Sequence, residues 1–467
     1  MSNRPFSRQP GRAASRSASV PKEGPQTPLG MAEHFTLTPH ALATGGEAIA
    51  RTADGMAVFI PGAAPGDVVE VAVTEQKKGY ARSQLVKVAS WGEHRVEPPC
   101  AMASPERCGG CPLMHVAPAT QLQEKQQWVE RALRHTGAQI LPIEAPAPAL
   151  GYRVRARLTQ RSGQLGFSTT KSNQSVQLTD CPVMQPLLAR VLLQQTQAVA
   201  PYLGEGAMVA GLQGSFAGQA AVHLAVRLGL GGDPEAVWDW LEQLLSHGVI
   251  VGAVLDDQRL GAPAIDIGTP GSTLWAAADG FAQACEAGHT RLPALVADAA
   301  LGLLTNQPEA ASQAPPLSHL TELYAGSGNL TRALRPLTRK LLAVEGDADA
   351  TQRLRRLLQE PTPLNQTLAA VEIAQLPVEQ ALRKYIHAGV QTDVVVLDPP
   401  RDGAKTALPL LMQLAPRRVV YVSCDAMTLG RDLVALRELG MRPHTVLPLD
   451  LMPHTAQVEC VAVLERA

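Results

Sequence analysis

The apolar positions of this chain change rhythm twice. Over residues 35–97 they come in short alternating runs broken by glycine, as in MAVFIPGAAPGDVVEVAVTEQKKGYARSQLVKVAS. Alternation punctuated by Pro-Gly and Gly-Asp turns predicts several short strands, and a segment of this size built that way predicts a small, OB-like β-barrel. Across residues 98–275, β runs such as AAVHLAVRL and VIVGAVLDD mix with helical stretches, the first of which, APATQLQEKQQWVERALRHTG, stops at Gly137. That mixture predicts an α+β middle domain. From residue 276 onward, past a Pro/Gln/Ala-rich connection between Ala299 and His319, unbroken β-branched runs alternate with helical segments: TELY, LLAVE, AAVEIA, VVVLD, VVYVS, TVLPLDL and VECVAVLE. Such runs are buried on both faces. Their alternation with helices predicts a Rossmann-like, doubly wound, seven-stranded α/β domain over residues 276–467.

Composition narrows this picture in a few places. A net charge of −1 leaves no global basic footprint, so any nucleic-acid contact must come from local patches. No apolar run is long enough to span a membrane. Residues 1–34 carry Arg4, Arg8, Arg12 and Arg16 with no acid before Glu23, which predicts a disordered cationic arm. Pro5, Pro10 and Gly11 spoil the amphipathic helix of a transit peptide. Within the barrel, Lys77, Lys78, Arg82 and Lys87 predict a positive side with Tyr80 as a stacking surface, or a solvated hairpin. In GYRVRARLTQ, Arg153, Arg155 and Arg157 share one strand face and are joined by Arg161 and Lys171. This stripe reads as a phosphate contact or as an edge strand guarded by charge.

Three of the seven cysteines, Cys100, Cys108 and Cys111, fall within CAMASPERCGGC, and Cys181 stands in LTDCPVM. So few cysteines, so unevenly placed in a long chain, do not make a disulfide scaffold. Four thiolates, with Gly109 and Gly110 allowing a tight turn, are the donor set of either a zinc site or an iron–sulfur cluster. Spacing does not choose between them.

Two predicted strands end in reactive groups. DVVVLDPPRDG delivers Asp398 and RRVVYVSCDAMTLGRDL delivers Cys424, at the carboxyl ends where ligands of open α/β sheets bind. Cys424 reads as a nucleophile or as an inert core thiol. YAGSGN places Gly326 and Gly328 between a strand and a helix, and Glu345 closes the next strand where a carboxylate can accept from both ribose hydroxyls. The third glycine of the dinucleotide fingerprint is absent, which favours S-adenosylmethionine over NAD.

In their order along the chain, PGAAPGDVVEV, KKGYARS, the four-cysteine set, FAQAC, ELYAGSGNLT, LDPPRDG, VSCDAMTLGRDL and MPHTAQVECVAVLER resemble the family of RNA 5-methyluridine methyltransferases. The likeness is strongest to its ribosomal-RNA members and covers residues 35–466. It implies a TRAM-type barrel, a [4Fe-4S] cluster on Cys100, Cys108, Cys111 and Cys181, and a catalytic domain that binds S-adenosylmethionine and packs against part of residues 115–140. It implies that Gln283, Tyr324, Asn329, Glu345 and Asp398 line the cofactor and target pocket, with Cys424 as nucleophile and Glu459 as base. It further implies a cytoplasmic, monomeric enzyme acting on 23S ribosomal RNA rather than transfer RNA, since transfer-RNA members would lack barrel and cluster. The residue types suit the chemistry. Uracil C5 is a poor nucleophile until a thiolate adds at C6, and a base must then take the C5 proton.

The chain departs from the family pattern in four places: C-x7-C for C-x5-C, Cys285 for Asn in FAQAC, Asp425-Ala426 for Asn-Pro beside Cys424, and Gln457 for His. These departures leave open a non-catalytic RNA-binding or assembly role on the same scaffold, or another S-adenosylmethionine enzyme with structural zinc.

Overall fold

The computed structural model describes residues 34–105, 107–169, 174–269, 271–304, 317–361 and 368–466. The basic arm up to residue 33, Lys171, and most of the Pro/Gln/Ala-rich connection lie outside the described residues. Among the described residues no helix is long and apolar enough to cross a membrane.

The strands Val68–Lys77 and Tyr80–Ser90 form the spine of a six-stranded N-terminal sheet. Its approach to the next segment is close. A Cβ on Gly92 would lie 2.3 Å from the Gly66 backbone, so only glycine fits there. Three of the four barrel cations are committed to acids, with Lys77 on Glu75 at 2.9 Å, Arg82 on Glu47 at 2.9 Å and Lys87 on Glu70 at 2.8 Å. Tyr80 packs edge-on against Phe59. The positive side and stacking surface expected from sequence are therefore largely engaged within the barrel itself.

The middle sheet has nine strands. Its strand Arg155–Arg161 lies in the interior, between Gln164–Ser168 and Met208–Phe216, and not at an edge. The arginine stripe divides three ways. Arg153 turns toward the cysteines, Arg155 donates to the carbonyls of Gly280 (2.7 Å) and Ala278 (3.4 Å), and only Arg157 is exposed. A strand pattern specifies the face but not the partner.

The third sheet positions the chemistry. Its strands are β1 (Gln139–Ile140), β2 (Leu317–Leu323), β3 (Thr338–Glu345), β4 (Ala370–Gln375), β5 (Val394–Leu397), β6 (Arg418–Ser423), β7 (Met441–Leu449) and β8 (Glu459–Arg466). Their order is β4-β3-β2-β5-β6-β8-β7-β1, with β4 through β6 parallel and β8 antiparallel between β6 and β7. The seven strands foreseen are present, and β1, two residues long, adds an eighth beside β7. Because β2 neighbours both β3 and β5, strand order reverses there and opens a crevice beyond the carboxyl ends of both.

Helix α1 (Pro118–Leu133) joins the domains. Trp128 Nε1 donates to Leu42 O of the barrel at 2.8 Å, and barrel and sheet side chains share one continuous core. The other face of α1 grips the loop between β7 and β8. Lys125, with no exposed surface, pairs with Asp450 at 2.7 Å, while Gln121 accepts from His454 N at 3.0 Å. Removing one partner of a buried pair leaves an uncompensated charge. Lys125→Met is therefore expected to lower unfolding free energy by about 3–5 kcal/mol in urea denaturation, and the double change Lys125→Met/Asp450→Leu to recover most of that loss.

Candidate active site

The turn after β2 begins with Tyr324 in the left-handed region, at φ 62°. A tyrosine seldom adopts that conformation, and such strain collects at ligand sites. Gly328 sits at φ 95°, a left-handed conformation that favours glycine, and a Cβ there would also press on the Leu354 and Leu357 side chains. Gly326, by contrast, faces open space, which leaves room for a ligand against the backbone. Glu345 ends β3 and accepts from Gly326 N and Asp347 N, both at 2.7 Å. These bonds fix its carboxylate beside the glycine turn. On the other flank, Asn329 Nδ2 donates to Gly288 O at 2.9 Å, and the Gln283 side chain packs on Gly288. The structure thus gathers Gln283, Tyr324, Asn329 and Glu345 around one turn.

Beneath that turn lies Glu322, which sequence reasoning missed. Burial pushes its carboxyl up to about 8, against the hydrogen bond it accepts from Thr331 Oγ1 at 2.7 Å. An acid just before the glycine motif was the available signal.

The second half of the site comes from the ends of β5, β6 and β8. Ser423 pairs with Cys460, so Cys424 and Glu459 leave neighbouring strands at the same end of the sheet. Asp398, Glu459 and Cys424 act on one another electrostatically. Burial raises the Cys424 thiol first, and Glu459 and Asp398 add to that; Arg401 opposes them. Burial also lifts Asp398 to about 7, and burial followed by Asp398 holds Glu459 well above the ordinary carboxylate range. The sequence reading had not singled out Arg401, although it directly follows the Asp-Pro-Pro run.

Two of the four departures from the family pattern can be placed locally. Asp425 caps α2 (Ala426–Glu438), its carboxylate accepting from Thr428 N at 2.7 Å, a role open to Asn and Asp alike. Cys285 is buried in the core, away from solvent.

The four clustered cysteines are free thiols, each partly buried. Cys111, pushed up to about 12 chiefly by burial, also feels Cys181, Cys108 and Cys100. Backbone amides of Gly110, and of Val183 and Met184, serve the Cys108 and Cys181 sulfurs respectively. Buried Arg153 stands beside them with its Nε unpartnered. Amides and a cation aimed at sulfur suit a group that carries negative charge on thiolates. Among the described residues, no three His, Cys, Asp or Glu side chains converge as a site for a single ion.

A doubly wound sheet with a nucleoside-type turn at its switch point, and a thiol beside a carboxyl at adjacent strand ends, defines a group-transferring α/β enzyme. Comparison with known proteins narrows the class. Residues 40–86 match the TRAM domain and residues 303–467 match the tRNA (Uracil-5-)-methyltransferase family. A 23S rRNA (uracil(1939)-C(5))-methyltransferase RlmD from Edwardsiella ictaluri is 32% identical, covering 90% of this chain and 93% of its own. One of the same name from Vibrio cholerae is 31% identical, covering 87% and 90%. The chain belongs to the family of S-adenosylmethionine-dependent RNA uracil-C5 methyltransferases. In fold it is similar to the Pyrococcus abyssi tRNA (uracil-54, C5)-methyltransferase, with TM-score 0.65 and 20% identity, covering 92% of this chain and all of that one. A transfer-RNA enzyme thus shares nearly this whole layout, and the expectation that the front domains exclude a transfer-RNA target does not hold.

Loss of the α2 cap is testable on its own. Asp425→Ala is expected to cost about 1 kcal/mol in denaturant unfolding, and Asp425→Asn only a few tenths.

Proposed function

We propose that the protein methylates C5 of a uridine in 23S ribosomal RNA through a covalent bond between Cys424 and pyrimidine C6. The observation that carries this reading is the β6–β8 register, which sets Cys424 and Glu459 side by side at the crevice. The choice of ribosomal RNA follows the relatives that match nine-tenths of the chain.

Bound S-adenosylmethionine supplies an electrophilic methyl group. Gln283, Tyr324, Asn329 and Glu345 hold the cofactor, with Glu345 facing the ribose, and Asp398 borders both cofactor and target base. Cys424 would add to C6 as the thiolate, the C5–C6 π pair would become enolate-like and bond to the methyl carbon, and the methyl–sulfonium bond would break with its electron pair going to sulfur, leaving S-adenosylhomocysteine. Glu459 then takes the C5 proton, the double bond re-forms, and the thiolate leaves. The base must be unstacked to reach a crevice of this kind, so the target is a loop or single-stranded uridine. Burial and Asp398 raise Glu459 above the ordinary carboxylate range, which makes its ionised form a stronger proton acceptor.

The four cysteines, we further propose, hold a [4Fe-4S] cluster. What supports this reading is the donor set, four thiols from two segments with backbone amides and the Arg153 guanidinium turned toward the sulfurs. Arg153 and the amides of Gly110, Val183 and Met184 would offset the cluster's charge.

With 5-fluorouridine-substituted ribosomal RNA fragments and S-adenosylmethionine, a denaturation-resistant adduct is expected, absent in Cys424→Ala. No adduct on ribosomal fragments but one on transfer-RNA fragments would move the target class. Adduct on neither would overturn catalysis by this route. Because thiolate and carboxylate are both required and both groups are raised, the single-turnover rate should fall by about tenfold per pH unit between the two midpoints, by about a hundredfold per unit below both, and reach its plateau only above neutrality. Anaerobically purified protein should contain iron, and Cys181→Ser should lose its visible absorption. Zinc in place of iron would refute the cluster.

A further inference from the structure

Three acidic groups crowd the target end of the crevice. Cys424 faces Asp398 at the end of β5 and Glu459 at the start of β8, and Cys460 lies behind it on β8. Each resists ionisation of the others. The thiolate needed for attack on a pyrimidine therefore requires a positive charge nearby, and among the described residues Arg401 is the cation that bears on both Cys424 and Glu459.

Arg401 is exposed, on the turn that follows Pro399 and Pro400. A long exposed side chain samples many rotamers and spends little time over any one atom. Here it is tied down. Its Nη2 donates to Gln457 Oε1 at 3.0 Å, two residues before Glu459 on the segment entering β8. Gln457 itself is anchored, its backbone N donating to Thr455 Oγ1 at 3.2 Å. The guanidinium is thus held from the β5 end to the β8 entry, across the mouth where Cys424 emerges. An amide oxygen stays an acceptor at every working pH, and a guanidinium stays charged, so this tether does not titrate.

We propose that Arg401 is the cation that stabilises the Cys424 thiolate, both as it attacks C6 and as it leaves, and that Gln457 is the positioning residue that keeps the guanidinium against Sγ. The assignment rests on the reading of Cys424 as nucleophile. It gives the unusual glutamine at 457 a specific task. It also separates two roles at the β8 entry, proton removal by Glu459 and control of thiol ionisation through Gln457.

The test reads the thiol directly and needs no RNA. Alkylation of Cys424 by iodoacetamide is followed against pH in the full-length, cluster-loaded protein, resolved by mass spectrometry of the Cys424 peptide. Arg401→Gln should move the midpoint upward by about one pH unit, a roughly tenfold loss of thiolate below it. Gln457→Leu should give a smaller shift in the same direction, and Arg401→Lys an intermediate one, because a lysine keeps charge but loses the fork. S-adenosylmethionine binding should be unchanged in all three, which shows that the fold is intact. A wild-type midpoint in Arg401→Gln with cofactor binding intact would overturn the proposal. A wild-type midpoint in Gln457→Leu alone would overturn the positioning role. A shifted midpoint in a protein that forms no adduct with fluorinated RNA would uphold this electrostatic assignment while refuting the proposed reaction.

Discussion

A lysine with no exposed surface, Lys125, bonded to Asp450 at 2.7 Å, is the constraint on which the arrangement of this molecule depends. Burying an ammonium is costly, and the cost is recovered only if its partner stays in place. That partner opens the loop between β7 and β8, so the ion pair fixes where β8 begins. The same loop is held from two more directions: Leu113 N donates to His454 O at 3.0 Å and Tyr152 Oη to Pro453 O at 3.0 Å. Leu113 follows the cysteine Cys111 by two residues, and Tyr152 stacks with Arg153. The cysteine segment, the connecting helix and the approach to Glu459 therefore form one knot.

Around that knot the site obeys a second constraint, which is electrostatic. Glu322, Asp398 and Glu459 are pushed toward their neutral forms by burial, and neighbouring acids reinforce this at Glu322 and Glu459. Such a site is poor at holding anions and good at holding neutral bases beside groups that ionise only on demand. It suits chemistry in which one thiol must bond and then depart, and one carboxyl must take a proton late.

Much of this was legible in the sequence because it is local. Buried parallel strands write themselves as β-branched runs, and β5 and β6 end abruptly enough to expose Asp398 and Cys424 as strand-end groups. The glycine turn and the acid of β3 follow from spacing. The illegible features depend on partners far along the chain. Arg82 looked like a free cation because Glu47 is distant in sequence, and Arg155 looked like a phosphate ligand because its carbonyl partners lie beyond residue 270. Arg401 carries no local mark, since its significance arises only when Gln457 and Cys424 fold against it. β1 is two residues long, too short for any periodicity to register.

The placement of β8 bears on how the molecule is made. Glu459 opens the strand that is last in the sequence of this sheet, yet the strand is inserted between β6 and β7 rather than added at the rim. Until β8 is in place, the facing rims of β6 and β7 have no partner strand between them. Long-range pairing of this kind is slow and leaves sticky edges exposed meanwhile. Assembly of a competent crevice therefore waits for β8, and a chain truncated before β8 would lose Glu459 and the seam that closes the sheet together.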